Sequence, residues 1–151
     1  MKVDKLVKLF SVIIVVSFAL KVNAQRNAIG IRFSDDFGIT YKYNLKNANW
    51  LEGIAHVGDH SLTLTGLYEI YKPTPFSKNF NWYYGGGIYV GFWGHRDNGG
   101  TYAGLRGVLG MCYKIPDIPI DISLDWMPTI QLASDFGTDF LIFGISIRYV
   151  F

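Results

Sequence analysis

The last twelve residues, Phe140 to Phe151, constrain this chain more than any other stretch. Leu141, Phe143, Ile145, Ile147, Tyr149 and Phe151 fall at every second position, and all are apolar or aromatic. Ile142, Gly144, Ser146, Arg148 and Val150 alternate with them and hold the small, polar and charged residues. Successive side chains of a strand point to opposite faces, so this period of two predicts a β-strand with one greasy face and one mixed face. In a soluble protein, such a strand ending on a bare aromatic would be an open edge that invites aggregation. A closed membrane barrel removes the problem by pairing every strand with two neighbours.

The same alternation recurs along the chain. Eight segments carry it: Ala28–Phe33, Phe37–Leu45, Trp50–Val57, Ser61–Lys72, Asn81–Trp93, Thr101–Tyr113, Ile120–Leu132 and Phe140–Phe151. Between them lie clusters of Gly, Pro, Asn, Asp and Ser, which favour tight turns. Several segments reach the ~9–11 residues that a tilted strand needs to cross a bilayer. No segment after Gln25 shows sustained helical periodicity.

The face continuous with Leu141, Phe143 and Ile145 carries no charge. It comprises Ile29, Ile31 and Phe33; Ile39, Tyr41, Tyr43 and Leu45; Leu51, Ala55 and Val57; and Leu62, Leu64, Tyr68 and Ile70. Tyr84, Ile88, Val90, Phe92, Leu105, Leu109, Met111, Tyr113, Ile120, Ile122, Leu124 and Trp126 continue it. The opposite face holds Arg32, Lys42, Glu52, Glu69, Arg106, Asp121, Asp125 and Arg148, four positive and four negative. It also carries Gly30, Gly85, Gly87, Gly91, Gly104, Gly110 and Gly144, where a narrow barrel must admit long neighbours such as Tyr89 and Arg106. A lipocalin-like soluble cup would turn the apolar face inward. Trp50, Trp82, Tyr83, Tyr84, Trp93, Trp126 and Tyr149, clustered near strand ends, instead suit interfacial girdles. The expectation is an eight-stranded antiparallel up-and-down transmembrane β-barrel.

Residues 1–24 read as a secretory signal peptide. Lys2, Lys5 and Lys8 precede an apolar run from Leu9 to Leu20, and Val22-Asn23-Ala24 offers small residues for cleavage before Gln25. The run is too short for a spanning helix, which needs roughly 20 residues. Export follows, with residues 25–151 as the barrel domain. Removing the leader takes four of the 14 basic and one of the 12 acidic residues, leaving 10 against 11, a net charge of −1. No basic patch for nucleic acid remains. Cys112 is the only cysteine, so an internal disulfide is excluded and a small packed residue inside the barrel is expected.

The eight inner charges form the one constellation with chemical weight. An eight-stranded barrel is just wide enough for side chains to fill, and a filled interior requires its charges to pair. Hairpin register places Lys42 opposite Glu52 and Arg148 beside Asp121 and Ser123, with Arg106 diagonally within reach of Asp125. A salt-bridged plug is the first reading, and a polar path for small solutes the second. His60-Ser61 resembles a base and nucleophile, but adjacent strand residues face opposite ways. His56 and Glu52 lie ~13 Å apart along a strand, too far for a hydrogen bond. Gly85-Gly86-Gly87 and Gly99-Gly100 precede no helix, so neither is a phosphate loop. No metal-ligand spacing, cofactor motif or catalytic set is present.

With its leader, its eight segments and the ending Ile147-Arg148-Tyr149-Val150-Phe151, the chain resembles the small OmpA/OmpX-like outer-membrane barrels of Gram-negative bacteria. The terminal aromatic with Ile147 and Tyr149 at alternate positions is similar to the signal read by the barrel-assembly machinery. The stretch from Gly110 to Leu132 resembles the penultimate hairpin of porin-family barrels. The resemblance implies an outer-membrane location, a lipid surround, assembly-machinery contacts during biogenesis and a monomer. The outward loops are shorter than in OmpX-like adhesins, and a peptidoglycan-tethering role is not expected. The His and Ser pair of lipid-modifying barrels has no counterpart, which leaves a lipid-acting enzyme as the weakest reading.

An even strand count puts both ends of the barrel on the periplasmic side. The turns at Lys46–Asn49, Tyr71–Phe80 and Ile115–Pro119 would share that side. Ser34–Asp36, Gly58–His60, Gly94–Gly100 and Ala133–Asp139 would face outward.

Overall fold

The chain folds as a closed antiparallel β-barrel, which we describe from a computed structural model covering residues 26–95 and 98–151. The proposed leader and the Gln25 start lie outside these residues. Ten ladder segments are present: β1 (Asn27–Phe33), β2 (Phe37–Lys46), β3 (Asn49–Gly58), β4 (Ser61–Pro73), β5 (Phe80–His95), β6 (Asn98–Lys114), β7 (Ile120–Trp126), β8 (Thr129–Ala133), β9 (Gly137–Asp139) and β10 (Phe143–Val150). Each of β1 to β6 is one strand. The seventh strand is β7 and β8 together, and the eighth is β9 and β10.

Pairing runs β5-β4-β3-β2-β1-β10-β7-β6, and β5 with β6 closes the ring. The first and last strands meet at a seam where Ile31 faces Ile147 and Arg32 faces Ser146. Phe151 extends that seam, its amide donating to the Asn27 carbonyl at 2.8 Å and its carbonyl accepting from Asn27 at 3.0 Å.

The seventh strand is interrupted at Met127-Pro128 because proline has no amide proton for the ladder. Register with β6 nevertheless continues, with Leu109 opposite Trp126 and Arg106 opposite Thr129. The Gly107 amide donates to the Pro128 carbonyl at 2.8 Å across the gap. The eighth strand is also broken, between Asp139 and Phe143, so the expected strand start at Phe140 falls in the gap.

Two turns are short, Asn47-Ala48 and Asp59-His60, and each holds a residue in the left-handed region, Asn47 at φ 58° and His60 at φ 66°. Several loop bounds differ from expectation. β4 runs through Pro73, and Gly137–Asp139 is a short strand. Gly94 pairs with Gly99 and His95 with Asn98, which reduces the expected Gly94–Gly100 loop to residues 96–97, outside the described set. β6 also extends past its last partner on β8, Ala133 opposite Ala103, so Asn98 to Tyr102 pair with β5 alone. This hairpin projects further than the short loops expected from sequence.

Burial follows the period of two. On β2, Ile39, Tyr41 and Tyr43 are exposed on the outside, whereas Gly38, Thr40 and Lys42 are buried. On β10, Phe143, Ile145 and Ile147 face out, and Gly144, Ser146 and Arg148 face in. The outer surface is a belt of large apolar side chains, from Val57 at 58% exposed to Met111 at 54% and Leu124 at 55%. The apolar inner cluster is small: Ile54, Leu67, Tyr83, Val108, Cys112 and Met127.

Two residues expected in an outer girdle lie inside instead. Tyr83 is fully buried, and Trp50 shares an inner cavity with Lys42. Position parity requires this, since Tyr83 alternates with the outward Tyr84, and Trp50 with the outward Leu51.

Candidate functional site

The eight charged residues all project into the interior and all are buried, Arg32 and Glu69 completely. Hydrocarbon-facing charge would be costly, and so would an unpaired charge inside. The geometry therefore turns on which charges meet.

Arg32 reaches Asp125 through a two-pronged contact. Its Nη2 donates to Oδ1 at 2.5 Å and its Nη1 to Oδ2 at 2.9 Å, with Ser146 Oγ as a further acceptor at 3.2 Å. The Tyr83 hydroxyl also donates to Asp125, at 2.7 Å. β10 lies between Arg32 and Asp125, and Gly144 on β10 is the gap through which the guanidinium passes. A Cβ there would collide with it. Glycine recurs for this reason: a Cβ at Gly30 would strike the Arg148 stem, and one at Gly110 the Tyr83 ring.

Lys42 holds two carboxylates. Its Nζ lies 2.6 Å from Glu69 Oε2 and 3.4 Å from Glu52 Oε2. It also donates to the Tyr71 hydroxyl at 2.7 Å and sits 4.4 Å from the centroid of the Tyr83 ring. Tyr71 and Tyr83 stack with centroids 4.8 Å apart, flanking the ammonium with ring faces that attract cations. The Thr40 hydroxyl donates to Glu52 Oε1.

Arg148 completes the inner layer. Both terminal nitrogens donate to Ser123 Oγ, at 2.9 and 2.8 Å, and Nε lies 3.5 Å from Asp121 Oδ1. Below this layer a cavity of about 290 Å³ opens at the end that carries the chain termini. Asn44, Trp50, Tyr71, Asn81, Lys114 and Asp121 are among its lining residues.

The register pairs Lys42 opposite Glu52 and Arg148 opposite Asp121, as read from the sequence. The expected reach from Arg106 to Asp125 is absent. Gly110, not Arg106, stands opposite Asp125, and Arg106 stands opposite Thr129. Four residues along a strand are ~13 Å, beyond a side-chain contact between Arg106 and Asp125. Arg106 instead donates to Thr129 at 3.1 Å and to Thr65 at 2.8 Å, over the Tyr89 ring.

Sequence reading placed Ser123 beside Arg148 but missed the other neutral members of this network: Thr40, Tyr71, Tyr83, Ser146, Thr65 and Thr129. Their signal was available in parity, since all but Tyr83 occupy the same face as a charge on their own strand, and Tyr83 shares the inward parity of Gly85 and Gly87 on β5. It also missed Ser34 and His56, whose Oγ and Nε2 are 3.3 Å apart at the opposite rim. The serine hydroxyl there also donates to the Asp36 carbonyl. Catalysis by such a pair needs a third group to orient the base, and no contact to His56 supplies one among the described residues.

Among the described residues, no group of three or more His, Cys, Asp or Glu could hold a metal ion. Ile147, Tyr149 and Phe151 lie at the seam, the last two with ring centroids 6.0 Å apart.

Among solved structures, the chain is similar to the crystal structure of the N-terminal β-barrel domain of Pseudomonas aeruginosa OprF. The TM-score is 0.63 at 12% sequence identity, covering 83% of this chain and 96% of that one. At this identity the likeness is one of fold, the eight-stranded barrel expected from the OmpA/OmpX-like resemblance. No protein-family model matches the chain, and no curated protein matches it in sequence.

Proposed function

We propose that this protein is an integral outer-membrane barrel whose interior is plugged by ion pairs. Its role would be structural or that of an interaction partner in the cell envelope, without turnover. One observation carries the reading: the greasy face points outward all round the barrel while the eight charges point inward. In water this arrangement would expose a continuous apolar belt, far beyond the patch size usual on a soluble monomer. In lipid it is the arrangement a barrel requires. The leader at residues 1–24, the assembly-signal ending at Phe151, the lipid surround and a monomeric state belong to the same proposal.

The plug is supported by the stacking of three paired layers across a narrow lumen. Arg32 with Asp125, Lys42 with Glu52 and Glu69, and Arg148 with Asp121 and Ser123 bring buried side chains together across the lumen. The polar cavity beneath them favours a second reading, a narrow passive channel for small solutes. Planar-bilayer recording of the purified protein separates the two. A plugged barrel gives no steady single-channel conductance, whereas steps that change with substitutions at Lys42 or Arg148 would favour the channel.

A further inference from the structure

Buried charge is unevenly matched along the barrel. Asp125 is met by Arg32, Asp121 by Arg148, and Lys42 by two carboxylates. Arg106 is the fourth buried cation, only 9% exposed, and among the described residues no carboxylate forms an ion pair with it. It is also the one furthest from the end that carries the termini. Arg106 stands eight residues before Lys114 at that end of β6, whereas Lys42 stands four before Lys46 and Arg32 five after Asn27.

Its surroundings are hydroxyls and rings. Nε donates to Thr129 Oγ1 at 3.1 Å, Nη1 donates to Thr65 Oγ1 at 2.8 Å, and the guanidinium carbon lies 4.6 Å from the Tyr89 centroid. A guanidinium carries five N–H donors, and the two threonine bonds use two of them. Hydroxyls orient the group without neutralising it; Asp139, opposite Thr129 on β9, acts on it at longer range but forms no ion pair with it. A buried charge without a paired counter-charge is unfavourable. Just outward, the Thr63 and Tyr102 hydroxyls lie 2.6 Å apart, with the Tyr102 ring resting in the space that Gly91 leaves. Further inward, Leu67, Val108, Met127 and Tyr83 fill the lumen.

We propose that Arg106, framed by Thr65, Thr129 and Tyr89, is a binding site for a small inorganic anion of the halide class, entering from the outer mouth past Tyr102. The anion supplies the paired counter-charge that no carboxylate among the described residues provides. Packing on the inward side makes the site a dead end, so it serves retention rather than passage. The inference does not depend on whether the barrel conducts.

The probe is bromide. Crystals of the purified barrel grown in sodium bromide should show an anomalous peak within hydrogen-bond reach of the Arg106 guanidinium, kept in Arg106→Lys and lost in Arg106→Gln. In solution at constant ionic strength, replacing sodium isethionate by sodium bromide should raise the folded-to-unfolded ratio by 1 + [Br⁻]/Kd, about elevenfold at ten times Kd. Arg106→Gln should abolish that rise. Bromide peaks confined to the protein exterior would overturn the proposal. A peak at Arg106 with no bromide-specific stabilisation would mark an adventitious ion only and overturn it equally. Should Arg106→Gln fail to fold, the wild-type map and titration together still decide.

Discussion

Arg32 and Asp125 form a two-pronged ion pair at 2.5 and 2.9 Å although 93 residues separate them in the chain. Neither strand touches the other. The pair spans β10 and is completely enclosed, so each partner is the other's counter-charge, with Ser146 and the Tyr83 hydroxyl adding hydrogen bonds. Removing one member of a buried pair typically costs about 3–5 kcal/mol. Arg32→Met and Asp125→Leu should each lower stability by that order in a urea titration of the folded barrel. The double variant should recover much of the loss, and additive effects would show that the pair is not coupled.

Arg148→Ala and deletion of Phe151 should fail differently. Arg148→Ala keeps the outer face intact but takes an ion-pair partner from Asp121 and the guanidinium donor from Ser123. The protein should insert yet lose the heat resistance that folded barrels show on unboiled gels. Loss of Phe151 removes the terminal aromatic and two seam hydrogen bonds to Asn27. That variant should accumulate in the periplasm or be degraded. Normal insertion without Phe151, together with failure of Arg148→Ala to insert, would reverse the assignment of the two faces.

Glycines on the two faces should respond oppositely to a methyl group. At Gly85 and Gly87, both facing in, a Cβ would run into the backbone carbonyls of Tyr68 and Gly66 on β4. Gly53 and Gly66 face out, and a Cβ there meets nothing within 4 Å. Gly87→Ala should therefore destabilise the barrel by more than about 1 kcal/mol. Gly53→Ala should be neutral or stabilising by up to about 0.5–1 kcal/mol, because alanine has less backbone freedom to lose. Urea midpoints of the two variants against the parent test the contrast.

Orientation in the membrane is open to labelling of intact cells. Asp97 would be the natural outward probe but lies outside the described residues. Asp59 in the β3–β4 turn is exposed at the same end. Asp59→Cys should react with an impermeant maleimide in intact cells, and Ser77→Cys only after the outer membrane is opened. The opposite pattern would invert the topology. The parent Cys112 is buried among Ile54, Leu67 and Val108 and should stay silent in both.

The eight alternating segments were legible because a period of two is a local property of an extended chain. It assigns Arg32, Lys42, Glu52 and their counterparts to one face before any partner is known. Hairpin neighbours were legible too, since a short turn fixes register, and Lys42 stands opposite Glu52 for that reason. What the chain does not display locally is how the ring closes. Closure sets β1 beside β10 and aligns Ser146 with both Arg32 and Ser123. That alignment carries Arg32 diagonally across Gly144 to Asp125, whereas Arg106 opposite Thr129 follows from the register of the β6–β8 hairpin. It also gives Lys42 to Glu69 more closely than to Glu52, and draws Tyr71 and Tyr83 against its ammonium. The sequence by itself determined which side chains share the lumen; only the tertiary structure decided which of them touch, because side-chain reach around a closed, sheared ring depends on every strand at once.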